Sequence, residues 1–284
     1  MSDHTRAPEG VAERRQHSRA ASQQWKTAVT RIERNRILIR GYPVDEMMGR
    51  VSFSESIYLL LVGELPTPAI GKMLSAILVS SLDHGATPPS TLAARNVATT
   101  GAPLRAAVAA GVLAFGSHHG GDVEACMRFL DGGLGLVAQG QSLADAAAAI
   151  VTQTEEGGGQ LPGFGHRLHT QDPRAVRLLQ LAMDLELDGN HIALMRQVER
   201  VLRERAGPDG APLPLNVDGA IAAVCGDLGL DYELGNALFI ISRLPGLIAH
   251  AHEERCRQAP MRQIDPKDHL YDGPSERRLP ETRK

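Results

Sequence analysis

Apolar residues recur at three- and four-residue spacing along most of this chain, the pattern of helices that each bury one stripe. It predicts helices over residues 69–82, 103–115, 123–138, 143–154, 173–187, 191–205, 217–228 and 232–253. An earlier helix opens at Ser52-Phe53-Ser54-Glu55, a capping-box pattern, carries Ile57, Leu60 and Leu61, and stops at Gly63 ahead of Pro66 and Pro68. The expected core stripe is Val176, Leu179, Met183 and Leu187 in the 173–187 helix, and Leu194, Val198, Val201 and Leu202 in the 191–205 helix. Pro245 falls inside the last pattern, where its missing N–H and its ring predict a kink or a division just after Arg243. Strand character is confined to Arg36-Ile37-Leu38-Ile39-Arg40, running into the turn Gly41-Tyr42-Pro43. The expected class is all-α, with minimal β structure near the N-terminus.

The ends of the chain lack this periodicity. Residues 1–24 mix Arg6, Arg14, Arg15 and Arg19 with Asp3, Glu9 and Glu13 and show no apolar stretch of a secretory signal, so a disordered arm on a cytoplasmic protein is expected. Beyond Glu254 the chain turns polar and Pro-rich, with Asp265-Pro266 and Asp272-Gly273-Pro274. This is expected to be a tail laid on a surface or on a partner subunit, its last ten residues disordered. No apolar run of about 18 residues stands out, so no membrane span is expected. A formal net charge of −3 supplies no basic field, which argues against nucleic acid as a partner. Cys126, Cys225 and Cys256 lie too far apart for a zinc spacing, and neither His118-His119 nor the His250 and His252 pair makes a ligand frame; no metal is expected.

Chemistry concentrates where glycines interrupt the helical pattern. Gly157, Gly158 and Gly159 lead into Leu161-Pro162-Gly163-Phe164-Gly165-His166, so residues 155–165 read as a loop whose main-chain N–H groups can approach a ligand. Asp172 then caps a helix with Pro173 at its first position, which fixes Arg174 in the first turn. Three further segments share this character. They are Asp83-His84-Gly85, leading through Pro88-Pro89-Ser90-Thr91 to Arg95; Gly116-Ser117-His118-His119-Gly120-Gly121; and Asn216-Val217-Asp218, followed 25 residues later by Arg243.

Taken with Gly41-Tyr42-Pro43, Ser52-Phe53, Tyr58-Leu59-Leu60-Leu61, Gly63-Glu64-Leu65-Pro66, His250 and Glu253, these motifs in this order resemble the citrate synthase family. That family includes citryl-CoA lyases and the citryl-CoA lyase module of ATP-citrate lyase. The resemblance spans roughly residues 25–274. It implies a citrate-synthase-like helical subunit with a large and a small domain around a cleft, working as a homodimer or higher homo-oligomer. The large domain would comprise 25–121 and, with the tail, 230–284; the small domain would be 122–229. The ligands implied are small molecules, acetyl-CoA, oxaloacetate and citryl-CoA, with the coenzyme A thioester as substrate and no tightly bound cofactor.

By motif, the implied catalytic residues are His119, His166 and Asp218, and the implied substrate contacts are His84, Arg174 and Arg243. Coenzyme A would meet Gly163, Phe164, Gly165 and Arg167. These roles suit the chemistry. A thioester methyl group becomes a nucleophile when a carboxylate, Asp218, removes a proton and a donor, His119, holds the enolate oxygen. Asp122 is expected to cap the helix after His119, whose N-terminus would favour a neutral imidazole. His166 exchanges a proton with the ketone or hydroxyl oxygen, and guanidinium forks match the carboxylates. His118, where the family is usually apolar, is read as at most a residue behind the site or one that tunes the substrate, and Arg95 is as well explained by a structural ion pair.

Two departures bear on the reaction. Only residues 67–82 separate the Gly-Glu-Leu-Pro motif from Asp83-His84, where full-length citrate synthases carry a long helical insertion. Compact chains of this kind resemble citryl-CoA lyases. Asp265 stands before Pro266, where synthases commonly place an arginine that reaches the neighbouring subunit's site; Arg262 is a candidate replacement. His119, by contrast, is synthase-like. The expected reaction is cleavage of citryl-CoA to acetyl-CoA and oxaloacetate, with citrate synthase or a 2-methylcitrate-type synthase as the alternative. A non-catalytic CoA-binding regulatory subunit is the alternative of another class.

Overall fold

The computed structural model describes residues 26–279 apart from 117, 118, 121 and 209. The expected N-terminal arm and the reading of His118 lie outside the described residues. The chain forms two compact units, one ending at Ser52 and the other beginning at Phe53.

The first unit is an antiparallel sheet of β1 (Thr30–Glu33), β2 (Arg36–Ile39) and β3 (Tyr42–Pro43), followed by α1 (Val44–Met47). β2 is the strand expected from sequence, paired Glu33 to Arg36 through Thr30 to Ile39 with β1. Sequence missed β1 and β3 because they are four and two residues long and largely exposed, so neither carries a buried alternation.

The second unit is helical: α2 (Phe53–Val62), α3 (Pro68–Ser80), α4 (Pro89–Ala98), α5 (Leu104–Leu113), α6 (Asp122–Ala138), α7 (Leu143–Glu156), α8 (Pro173–Asp184), α9 (Asn190–Ala206), α10 (Val217–Asp227) and α11 (Tyr232–Arg257). Its centre is α10, buried from Gly219 to Cys225 and built from residues small enough for α6, α8, α9 and α11 to close around it. One contiguous core runs from Ile57 and Met73 through Val123 and Leu130 to Leu194, Val198 and Leu238.

Five expectations are corrected here. In α8 the buried stripe is Ala175, Leu178, Leu179 and Ala182, while Val176 and Met183 are exposed. The face that meets α3 and α10 includes alanines, which an apolar-bulk pattern underweights. The segment from Pro88 to Arg95, read as loop, is α4. Pro88 is its N-cap and Pro89 its first residue, so the prolines start a helix rather than break one.

Nor is α11 divided at Pro245. Its packing on α3, α4, α5 and α6 buries Leu238, Ser242, Leu247 and Ala251, which offsets the roughly 3 kcal/mol cost of an internal proline. By length and apolar composition α11 is also long enough to cross a membrane, contrary to the expectation, but those contacts are those of a core helix. The helix after His119 begins at Asp122 itself, so that residue lies in the first turn and not one position before it.

Candidate active site

The starts of α8 and α10, the loops before α4, α6 and α8, and the middle of α11 bring together His84, His119, Gly120, His166, Arg174, Asn216, Val217, Asp218, Phe239 and Arg243 around a cleft of about 130 Å³. Six of these, His84, His119, His166, Asp218, Arg174 and Arg243, are the catalytic and substrate residues expected from sequence. A groove of about 500 Å³ between α8 and α9 is larger, but fewer titratable groups converge there, so the chemistry points to the smaller cleft.

Asp172 organises the cationic wall. Its side chain caps α8 by accepting from the Arg174 N–H at 3.0 Å and takes the Arg174 guanidinium in a fork, Nε at 3.0 Å and Nη2 at 2.8 Å. Its second oxygen also accepts from Val217 N–H at 3.1 Å, which ties the start of α8 to the start of α10. Burial works against the Asp172 charge, yet the Arg174 hydrogen bonds hold its carboxyl below the usual range. Sequence placed Asp172 only as a cap.

Arg243 lies on α11, 3% exposed, with Nε donating to Ser81 O at 2.8 Å and the guanidinium carbon 4.9 Å from the Phe239 ring centre. No carboxylate of the described residues forms an ion pair with it. Burial depresses its pKa, and Asp83 and Asp218 act the other way. A buried guanidinium facing a cleft without a counter-ion is an anion site.

Asp218 sits in the first turn of α10, which Asn216 caps by accepting from Gly219 N–H at 3.0 Å. Its Oδ1 is sealed from solvent with no hydrogen bond among the described residues. Burial, then the like charge of Asp122, pushes the carboxyl up to about 6, with Arg174 and Arg243 opposing. Such a carboxyl can exchange a proton near neutrality.

The three imidazoles are held differently. His119 Nε2 accepts from Ser90 N–H at 3.3 Å and lies 2.8 Å from Ser90 Oγ, which assigns the ring proton to Nδ1 and leaves Nδ1–H as a donor. Ser90 is in the first turn of α4, so the N-terminus of α4 lies against this ring. Burial, then Arg243 and Arg167, lowers the His119 pKa and keeps the ring neutral. His166 Nδ1 accepts from Leu168 N–H at 3.1 Å and His169 N–H at 3.0 Å, so its proton resides on Nε2. Its pKa is lowered by partial burial and by His169. His84 meets the His166 ring edge-on at 6.1 Å, its own pKa lowered by partial burial, Arg243 and Arg174.

The glycine loop works differently from expectation. Gly163 has φ +79°, and a Cβ there would lie 2.6 Å from Gly219 Cα, so two bare backbones touch. The Phe164 N–H donates to Leu161 O and the Gly165 N–H to Pro214 O, while Gly163 O and Gly165 O accept from the main-chain N–H and Nδ2 of Asn216. The Phe164 N–H is therefore engaged within the loop and the Gly165 N–H with the segment before α10, while Asn216 seats the loop against α10. Arg167 is exposed and follows His166 in the chain without lining the cleft.

Arg262 does not reach this cleft. It binds Glu254 through Nε at 2.8 Å and Nη2 at 2.6 Å, and Arg95 Nε holds the same fully buried carboxylate at 2.7 Å. Arg95 is thus the structural ion-pair partner considered above, and Arg262 an anchor for the start of the tail.

Known proteins share this arrangement of helices. The family described as "Citrate synthase, C-terminal domain" matches residues 20–72 and 67–264. A solved citryl-CoA lyase from Hydrogenobacter thermophilus is 43% identical, with a TM-score of 0.82 over 90% of this chain and 98% of that one. An ATP citrate lyase from Methanosaeta concilii, solved with (3S)-citryl-CoA, is 20% identical, with a TM-score of 0.75 over 96% of this chain and 45% of that one, a likeness of fold. A citrate synthase from Heyndrickxia coagulans is 30% identical over 72% of this chain and 52% of its own length. The chain spans about half the length of the curated relatives it matches.

Proposed function

Because this chain belongs to the citrate synthase family, we propose that it is an enzyme that cleaves citryl-CoA to acetyl-CoA and oxaloacetate. The observation that carries the acid–base chemistry is Asp218, a carboxyl with one oxygen sealed and unpartnered among the described residues and a pKa of about 6, facing a cleft with two guanidinium groups. The match along nearly the whole of a citryl-CoA lyase favours cleavage over synthesis.

In this reading Arg174 and Arg243 bind substrate carboxylates, and His84 contacts the hydroxyl oxygen on the carbon whose carbon–carbon bond breaks. The hydroxyl proton passes to His166, the carbon–carbon bond breaks, and the electron pair becomes the enolate of acetyl-CoA. Its oxygen accepts a hydrogen bond from His119 Nδ1–H, and its carbon takes a proton from Asp218. Cleavage needs a bare His166 Nε2, which requires the ring to release Nδ1 from Leu168 and His169. The cleft of about 130 Å³ is too small for a CoA thioester, for which pockets of several hundred Å³ are usual.

Both facts favour a rearrangement of the 166–169 turn on binding. We assign it to residues 122–229 acting as the smaller domain that closes over the ligand, with Gly163, Phe164 and Gly165 shaping the coenzyme site and Arg167 meeting a phosphate. A ligand complex in which His166 does not approach His119 would contradict this closure. Helices α4, α5 and α11 pack together and leave Leu92, Leu113, Leu244 and Ile248 exposed, which supports a homodimer. A mass measured in solution equal to one chain at every concentration contradicts that part.

A synthase would go on to hydrolyse the citryl thioester, and the curated citrate synthases among the relatives favour this second reading. With acetyl-CoA and oxaloacetate supplied together, the lyase reading predicts little free CoA. Rapid CoA release would establish the synthase.

A further inference from the structure

We propose that Asp83 and His250 are positioning residues for His84 and Arg243, an assignment that rests on the reading of this cleft as the citryl-CoA site. One strip of α11 holds the chain segment that carries His84. Ser242 Oγ donates to Leu78 O, and Arg243 Nε donates to Ser81 O at 2.8 Å. Gly246 comes so close that a Cβ would lie 2.3 Å from Leu82 O and 2.9 Å from Asp83 Oδ1. His250 Nε2 stands 3.1 Å from Asp83 Oδ1. Residues 242, 246 and 250 recur every four positions and so share a helix face. The segment from Leu78 to Asp83 is fastened along its length, and the fastening ends one residue before His84.

The two oxygens of Asp83 are divided. Oδ1 goes to His250, and Oδ2 accepts from Gly85 N–H at 2.9 Å, closing a turn around His84. This aims the His84 backbone at the cleft. It also keeps the carboxylate off the nearby Arg243 guanidinium, which lies within electrostatic reach of Asp83 but forms no ion pair with it among the described residues. An Asp83 freed from His250 would be the ready counter-ion for Arg243 and would compete with a substrate carboxylate. On its other side the His250 ring presents Nδ1, sealed and without a hydrogen bond, 3.9 Å from Glu253 Oε2. Its one hydrogen bond among the described residues is thus the one to Asp83.

His250→Ala is expected to raise the KM for citryl-CoA about tenfold with kcat little changed, the size of one lost charge-assisted hydrogen bond. His250→Gln, which keeps a donor near the Nε2 position, should restore most of the loss. In a His84→Ala background His250→Ala should cost clearly less than its tenfold effect in the wild type, because the part that acts through His84 is already lost and only the part through Arg243 remains. Full additivity, or a Gln variant as impaired as Ala, overturns the proposal. Histidine ring signals from carbon-13-labelled protein give a readout independent of turnover: the His84 signal should move or broaden in His250→Ala. If the wild-type protein fails to cleave citryl-CoA, the proposed function falls while this readout still decides the positioning role, and an unchanged His84 signal overturns it.

Discussion

Asp218→Asn is expected to lower turnover by about 10²–10⁴-fold, the usual contribution of a placed acid–base group, while making the free protein more stable above pH 6. Asp218 ionises near 3.8 when unfolded and near 6 in the native cleft, chiefly because burial and Asp122 oppose its charge. For a group whose folded pKa is raised, the stabilisation is fully present below the unfolded value and is lost as pH rises through the folded one. The native state therefore loses up to about 3 kcal/mol between pH 4 and pH 7, a little over two pKa units at 1.36 kcal/mol each. Asparagine carries no charge and escapes that loss, less the cost of an unpartnered amide of about 1 kcal/mol. Urea denaturation of both proteins at pH 4 and pH 7.5 reads the difference directly: the gain should be present at the higher pH and absent at the lower. In the proposed cleavage the same carboxyl must be protonated to return a proton to the departing carbon, so kcat/KM should decline above about pH 6 in the wild type. A pH-independent stability difference contradicts the assignment of Asp218 as the strained carboxyl.

The second large effect is on folding. Asp172→Ala should cost about 3–5 kcal/mol, because it strips a partly buried guanidinium of its partner and leaves the Val217 N–H without an acceptor. Asp172→Asn keeps one acceptor and should lose less. The two variants also differ from a simple cap deletion, which costs about 1 kcal/mol. A loss of only that size in Asp172→Ala would mean that Arg174 finds another partner and that the junction of α8 with α10 does not depend on this carboxylate.

Much of this architecture is legible in the amino-acid sequence alone. Periodicity located the long helices because each buries a stripe of large side chains, as Leu194, Val198, Val201 and Leu202 do. It failed where burial depends on small residues, as at Ala175 and Ala182, and where prolines open a helix, as at Pro88 and Pro89. Most cleft residues are legible because they sit at a helix start or beside a glycine turn; Arg243, inside α11, is legible only through its place in the motif order. Their partners are not, since Ser90 against His119 and Ser81 against Arg243 are joined only by tertiary packing. The glycine loop shows the same limit: residue types announced a permissive backbone, but only the fold reveals that it packs on Gly219 and Asn216. Nor does sequence show that Arg262 binds Glu254 within its own chain, a pairing of two residues set by tertiary packing.

The central claim is that this cleft breaks a carbon–carbon bond and leaves the thioester intact. Citryl-CoA supplied to the purified protein, with products separated by chromatography, tests it most directly. The account predicts acetyl-CoA and oxaloacetate in equal amounts, with the rate lost in Asp218→Asn. Citrate and free CoA as the products, or cleavage that persists unchanged in Asp218→Asn, would contradict it.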